Sequence, residues 1–499
     1  MKYKKMKWRM LCMGVLFVGI SFCASAQMLL TIERALDIAE ENNPDMKTQK
    51  LNLERALYNL AAQRASLKPQ FALTVNPFEY STTRRFDNRL SQWYTNTELS
   101  SSTNFRASLP ILLTDGEFSL NNTLSWQDNK SIVDGNQNLD RAFSNNLNIR
   151  YDQPLFIYNR QRMALERLEY DYENAGIRYA LQRLNTELNI TRQFYAVYMA
   201  ENSLQISQEE LKNTQTNYDI VKAKVDAALS AREELFQAEV NLASAQSTVE
   251  SDKATLENAK DALKQTLGIP LSEDITVEAV IDVNPILIEL GKAVECGLTT
   301  RMELRQREIA MEIADFDLIE VKARDKFNGN LSLSVGITGD NPAFANIYAE
   351  PISSPAIAVS FTIPIFDWGQ RKARIKASQT AQTIAKLDYD NQKVDIELEI
   401  RQTLRALDNL RTQIGIQEKN VENTQNTYNL NQIRYSEGDL TGLEISQYQA
   451  QLSNARTSLV AAEINYKIQL LNLKILTLFD FDKDQPIVPM TTLQGLSVK

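Results

Sequence analysis

The sequence predicts an α+β membrane protein. A few amphipathic strands per chain are pooled with those of identical neighbours into a β-barrel, long helical hairpins hang from it, and the layout is stated twice. Three observations predict this class: an internal repeat at one offset of 210 residues, a seven-residue apolar ladder through proline-free stretches, and period-two alternation between those stretches.

The chain begins MKYKKMKWRMLCMGVLFVGISFCASA. Five Lys/Arg precede Met10, an apolar run extends to Ile20, and Ala24-Ser25-Ala26 follows, so residues 1–26 read as a secretory signal with an A-x-A cleavage site. Lipidation at Cys23 is disfavoured because bulky Phe22 stands where a small residue is wanted. No later stretch offers 18 consecutive apolar residues, so no transmembrane helix is expected after the signal. The exported chain is then soluble or held in a membrane as a β-barrel.

Composition narrows the chemistry. With 43% hydrophobic and 23% charged residues the chain is ordered. It contains no histidine, which removes the commonest general base and metal ligand and every Ser-His or Cys-His nucleophile pair. Of three cysteines two lie in the signal, and Cys296 alone makes neither a disulfide framework nor a metal site. No catalytic residue, metal or cofactor is expected, and a net charge of −9 gives no electrostatic case for nucleic acid.

The repeat is read from NTQTNY at Asn213–Tyr218 and NTQNTY at Asn423–Tyr428. The same offset pairs Pro154 with Pro364, Phe156 with Phe366, Glu234 with Glu444, Gln237 with Gln447 and Leu263 with Leu473. An unbroken register is what long paired helices require, because one inserted residue rotates everything beyond it by about 100°. Residues 27–70 form the first copy's N-terminal helix, and 71–156 its strand region. Residues 157–268 form a long helical hairpin, with the ladder Leu235, Leu242, Val249, Leu256, Leu263 in its second arm. Residues 269–330 hold a connecting segment and the second copy's helix, and 331–366 the second strand region. Residues 367–480 form the second hairpin, with the ladder Ile445, Leu452, Leu459, Tyr466, Leu473, and 481–499 a C-terminal tail. A first arm of roughly 100 Å, at about 1.5 Å per residue, exceeds any ordinary domain.

In the strand regions Phe71, Leu73 and Val75 alternate with Ala72, Thr74 and Asn76. Phe118, Leu120, Leu124 and Trp126 alternate with Ser, Asn and Thr, Leu331 to Ile337 with Ser332 to Thr338, and Ile357 to Ile363 with Ala358 to Thr362. Such strands suit lipid on one side and water on the other; taken alone they also suit a soluble sandwich. The aromatics Phe156, Tyr158, Phe366 and Trp368 stand where strand becomes helix, as a membrane-interface girdle would. Four to six short strands cannot close a barrel, whose minimum is about eight, so an obligate oligomer follows.

Asn43-Pro44-Asp45, FTIPIFDWGQRKARIKAS from Phe361 and RYSEGDLTGLEISQYQAQLSNA from Arg434, with the doubled layout, resemble the TolC-like outer-membrane factors over nearly all of the exported chain. The resemblance implies a homotrimer whose twelve-stranded outer-membrane barrel is continuous with a long periplasmic α-helical barrel, with residues 269–330 forming an equatorial segment. It implies a passive exit duct in a Gram-negative cell envelope, completed by a periplasmic adaptor (membrane fusion) protein and an inner-membrane pump of the RND or ABC type. The alternative is a periplasmic coiled-coil structural or adhesive protein without a channel. By resemblance the pore constriction falls at Glu444 and Gln447, mirrored by Glu234 and Gln237. The adaptor-contacting tips fall at Ala228, Leu229, Ser230 and at Gly438, Asp439, Leu440, with Ala228 where the family has glycine. One departure stands out: a candidate hairpin at Asn104–Leu112 and Glu117–Trp126, turning at Thr114-Asp115-Gly116, leaves four or six strands per chain open.

Overall fold

A computed structural model describes residues 28–88, 91–133, 136–279, 286–437 and 439–487. The signal with Cys12 and Cys23, Gly438, and the tail beyond residue 487 lie outside them. In chain order come β1 (Met28–Leu30), α1 (Ile32–Asn42), α2 (Pro44–Ser66), β2 (Gln70–Asp87), β3 (Gln92–Ile111), β4 (Gly116–Val133), β5 (Asn136–Leu155), α3 (Arg160–Asp226), α4 (Arg232–Leu267) and β6 (Ile275–Val277). There follow α5 (Leu290–Thr300), α6 (Met302–Ala323), β7 (Asn328–Asn341), β8 (Ile352–Ser353), β9 (Ala356–Thr362), α7 (Gln370–Glu437), α8 (Gly442–Thr477), β10 (Phe479–Asp480) and β11 (Gln485–Pro486). An offset of 210 carries the starts of α3 and α4 onto those of α7 and α8.

The helix expected over 27–70 is two helices. Pro44 has no N–H to donate and pushes Asn43 into extended backbone, φ −57° and ψ 126°, where its side chain caps α2 by accepting from Met46 N at 2.9 Å. Its counterpart also breaks, at Arg301, whose backbone is extended between α5 and α6.

The chain divides into two compact units. The first is drawn from the described residues of Met1–Asn42, Ile190–Ile281 and Asn431–Ser453. There β1 pairs in parallel with β6, Met28 opposite Ile275 and Leu30 opposite Val277. Ile190, Phe194 and Val197 of α3 pack on Leu263 and Leu267 of α4, so the two arms are antiparallel. Helix α4 stops at Gly268, whose φ of 73° lets Ile269 N reach Lys264 O at 3.1 Å.

The second unit is drawn from the described residues of Asn43–Asn189, Asp282–Leu430 and Asn454–Lys499. Ile396, Ile400 and Leu407 of α7 pack on Leu473 and Tyr466 of α8, again antiparallel. Every ladder position named above is buried or half-buried, as a seam of period seven requires. The unit also holds one antiparallel sheet in the order β2-β3-β4-β5-β7-β8, with β9 pairing β7. Strands β2 to β5 run for 18 to 20 residues, longer than the short strands expected. Asn, Ser, Thr and Arg beyond the alternating cores keep the backbone ladder going without an apolar signal.

Candidate functional site

The sheet has two chemically distinct faces. Cross-strand partners place Phe71 with Ala107, Leu73 with Phe105, Leu109 with Phe118, Leu120 with Ile149, Tyr151 with Leu333 and Leu333 with Ile357, so one apolar face runs across β2, β3, β4, β5, β7 and β9. Most of it is uncovered: Phe71 is 70% and Ile357 77% exposed, and the segment 344–347 lies over only the far end of β5 and β7, with Phe344 against Phe143 at 5.6 Å. A soluble sandwich needs a second sheet there, and the only other described sheets are two-stranded pairs of two or three residues. The opposite face is polar and tied across strands. Asn76 Nδ2 donates to Ser102 Oγ at 3.2 Å, Asn104 Nδ2 to Thr123 Oγ1 at 2.6 Å, and Ser125 and Ser144 hydroxyls meet at 2.7 Å.

At the strand-to-helix junctions Phe366 and Trp368 stack edge to face at 4.8 Å, with Trp368 91% exposed. Phe156 pairs with Phe327 at 5.2 Å, and Phe327 with Phe361 at 5.6 Å; Tyr158 is half-buried beside them in sequence. Phe327 and Phe361 therefore belong to the aromatic group, although Phe327 lies in a loop with no periodicity to flag it. Asp367 fixes the start of α7 by accepting from Gly369 N at 2.9 Å and Arg371 N at 2.8 Å, which holds its carboxyl below the usual range.

The turn between β3 and β4 docks on the start of α3. Asp115 accepts from Arg160 Nε at 2.7 Å and Gln161 N at 3.0 Å, and Asn159 Nδ2 donates to Leu112 O at 2.5 Å.

At the first helix tip, Ala228 has φ 61°, a left-handed backbone that glycine adopts freely and alanine does not. Leu229 N closes the turn on Lys224 O at 2.7 Å. Asp439 N closes the second tip in the same way on Arg434 O at 2.9 Å. Glu444 completes a capping box with Thr441: Thr441 N and Oγ1 each donate to Glu444 Oε2 at 2.9 Å, and Glu444 N donates back to Thr441 Oγ1 at 3.3 Å. Those donors hold the Glu444 carboxyl below its ordinary value. Ser230 Oγ donates to Glu234, and Gln237 Nε2 donates to Asn241 Oδ1 at 3.0 Å. A cavity of about 300 Å³ between α3, α4 and the start of α8 is lined by Tyr218, Val221, Glu234, Gln237 and Thr441. Glu444 and Gln447 are exposed and lie off it, so the four expected constriction residues are not brought together within one chain. Among the described residues no group of His, Cys, Asp or Glu side chains is arranged to hold a metal ion.

A single sheet with one largely uncovered apolar face, joined to helical hairpins of 67 and 68 residues in their first arms, has the make-up of an outer-membrane channel protein. The chain belongs to the outer membrane efflux protein family, whose sequence model matches residues 108–269 and 299–477. The cation efflux system protein CusC of Escherichia coli K12 is 23% identical over 357 residues, 71% of this chain and 75% of CusC. A solved CusC structure superposes with a TM-score of 0.67 at 18% identity, covering 89% of this chain and 91% of CusC. The Campylobacter jejuni CmeC outer membrane channel superposes with a TM-score of 0.66 at 17% identity, covering 89% of this chain and 85% of CmeC. The protein is an efflux channel of the outer membrane.

Proposed function

We propose that three copies of this chain assemble into a passive duct: pooled strands close a barrel in the outer membrane, and the helical hairpins form a conduit in the periplasm. The observation that carries this reading is the bare apolar sheet face, because lipid is the one medium in which Phe71, Leu73, Val75, Ile357 and Val359 are stable uncovered. Open sheet edges are not tolerated in hydrocarbon, so the strands must be completed by further chains. Helix faces support the same assembly: Ile384, Leu387, Val394 and Leu398 form an exposed apolar stripe on α7 that a neighbouring helix would cover. The 210-residue correspondence of helices supports descent from a duplicated unit.

In this assembly the tips at Ala228 to Ser230 and Gly438 to Leu440 receive a periplasmic adaptor that links the duct to an inner-membrane pump of the RND or ABC type. Threefold symmetry brings three Glu444 carboxylates around one axis, where they favour cations and repel anions. Neighbouring charges would act on Glu444 against the lowering that Thr441 provides in the single chain. CusC is named for cation efflux, and a cation-selective mouth suits the same class of cargo here. The duct performs no bond chemistry; directionality comes from the pump.

The test is conductance of the purified protein in planar bilayers. A cation-selective channel is expected, and absence of conductance would return the protein to a structural role.

A further inference from the structure

The number of strands each chain contributes is fixed by register. Strand β7 pairs β9 from Asn328 opposite Thr362 to Ser334 opposite Ala356, and pairs β8 at Ile337 opposite Ser353 and Thr338 opposite Ile352. Each step forward on β7 is one step back on its partner throughout, so β8 and β9 are one strand interrupted at Ser354-Pro355. Ser354 N still donates to Gly336 O at 2.8 Å across the gap. The sheet therefore holds six antiparallel strands, with β2 at one edge and β8/β9 at the other.

Strands β3 and β4 are wall rather than a flap. Their outward residues Phe105, Leu109, Phe118, Leu120, Leu124 and Trp126 continue the apolar face of β2 and β5. Their inward residues make the cross-strand polar bonds described above. The Asp115 turn fastens their lower end to α3.

The two edges are the strands left bare. All seven residues of β9 are exposed, and β2 is exposed at every position from Gln70 to Tyr80, whereas the interior strands are largely half-buried. Six is even, so the edge strands run in opposite directions, and placing β2 of one copy beside β8/β9 of the next continues the antiparallel alternation without a parallel seam.

We infer that β2 of each protomer pairs with β8/β9 of its neighbour, closing an eighteen-stranded barrel rather than the twelve-stranded one its family resemblance implies. The inference rests on the trimer proposed above. Barrel diameter grows about linearly with strand number, so the outer-membrane segment is about 1.5-fold wider than with twelve strands, in the range of barrels that hold an aqueous channel.

The test uses the full chain with Cys296→Ser. Leu73→Cys in β2 is combined in turn with Ile357→Cys, Val359→Cys and Phe361→Cys in β9, which share its face, and Phe71→Cys and Val75→Cys extend the scan. Oxidation of the detergent-solubilised trimer is expected to yield covalent trimer for pairs at one register, and none for Leu73→Cys with Ala358→Cys on the opposite face. An intact trimer in which no pair links at any register overturns the edge pairing. A protein with Cys296→Ser alone that is not trimeric overturns the assembly reading beneath it. Electron microscopy down the threefold axis supplies the second measurement: eighteen strands are expected, and twelve overturn the inference even if the variants fail to assemble.

Discussion

Asp115 and Arg160 meet Oδ2 to Nε at 2.7 Å, with the Asp115 side chain only 3% exposed and the guanidinium largely open to solvent. The pair joins the turn of the β3–β4 hairpin to the first residue of a 67-residue helix. Asp115 also accepts the backbone N–H of Gln161, one of the orphan donors of that helix start. Asp115→Ala removes both acceptors and is expected to cost about 2 kcal/mol. Asp115→Asn keeps an acceptor and tolerates the left-handed φ of 60° there, so it should cost less. Thermal unfolding with limited proteolysis across Leu112 to Thr114 reads both; equal stability of all three proteins would show that the turn does not depend on this anchor.

The Ala228 tip offers a gain of stability. Alanine at φ 61° carries a steric penalty that glycine lacks, partly offset by the freedom glycine brings to the unfolded chain. Ala228→Gly is expected to stabilise the turn by about 0.5–1 kcal/mol. Amide exchange at Leu229, whose N–H closes on Lys224 O, should slow. Faster exchange would mean that neighbouring packing, rather than φ, sets the local stability.

Glu444→Gln separates charge from structure. Glutamine serves the capping box as glutamate does, so melting should change little, while cation preference in bilayers should fall towards non-selectivity. Unchanged selectivity would remove Glu444 from the pore.

Burial alone pushes the Glu210 carboxyl on α3 above its ordinary value. An acid whose folded pKa is raised binds its proton more tightly when folded. Stability is therefore highest below the unfolded value of about 4.3 and falls as pH rises through the folded one. Glu210→Gln should raise the melting temperature at pH 7 and leave it nearly unchanged at pH 4. A gain of equal size at both pH values would assign it to packing instead.

The helical half was legible because its signals are long. A ladder of five apolar residues at intervals of seven, repeated 210 residues on, survives local irregularity. Thr114-Asp115-Gly116 between alternating runs marked the additional hairpin that the β3–β4 register displays. Short or non-local features escaped. Strands β1 and β6 pair only three residues each across some 245 positions, too few for periodicity to register. The break at Arg301 has no proline to announce it, and Phe327 joins its aromatic neighbours only through tertiary folding. At the tip the signal was present in another sense: Thr441 and Glu444 stand in the T-x-x-E spacing of a capping box, a structural duty that a pore reading of Glu444 overlooks.

In the proposed assembly this sheet becomes a membrane wall only by joining identical sheets. Native mass spectrometry of the protein extracted from outer membranes in mild detergent tests it most directly. A single species at three chain masses, stable only with detergent or lipid, is expected. A monodisperse single chain that stays in solution without detergent would contradict it.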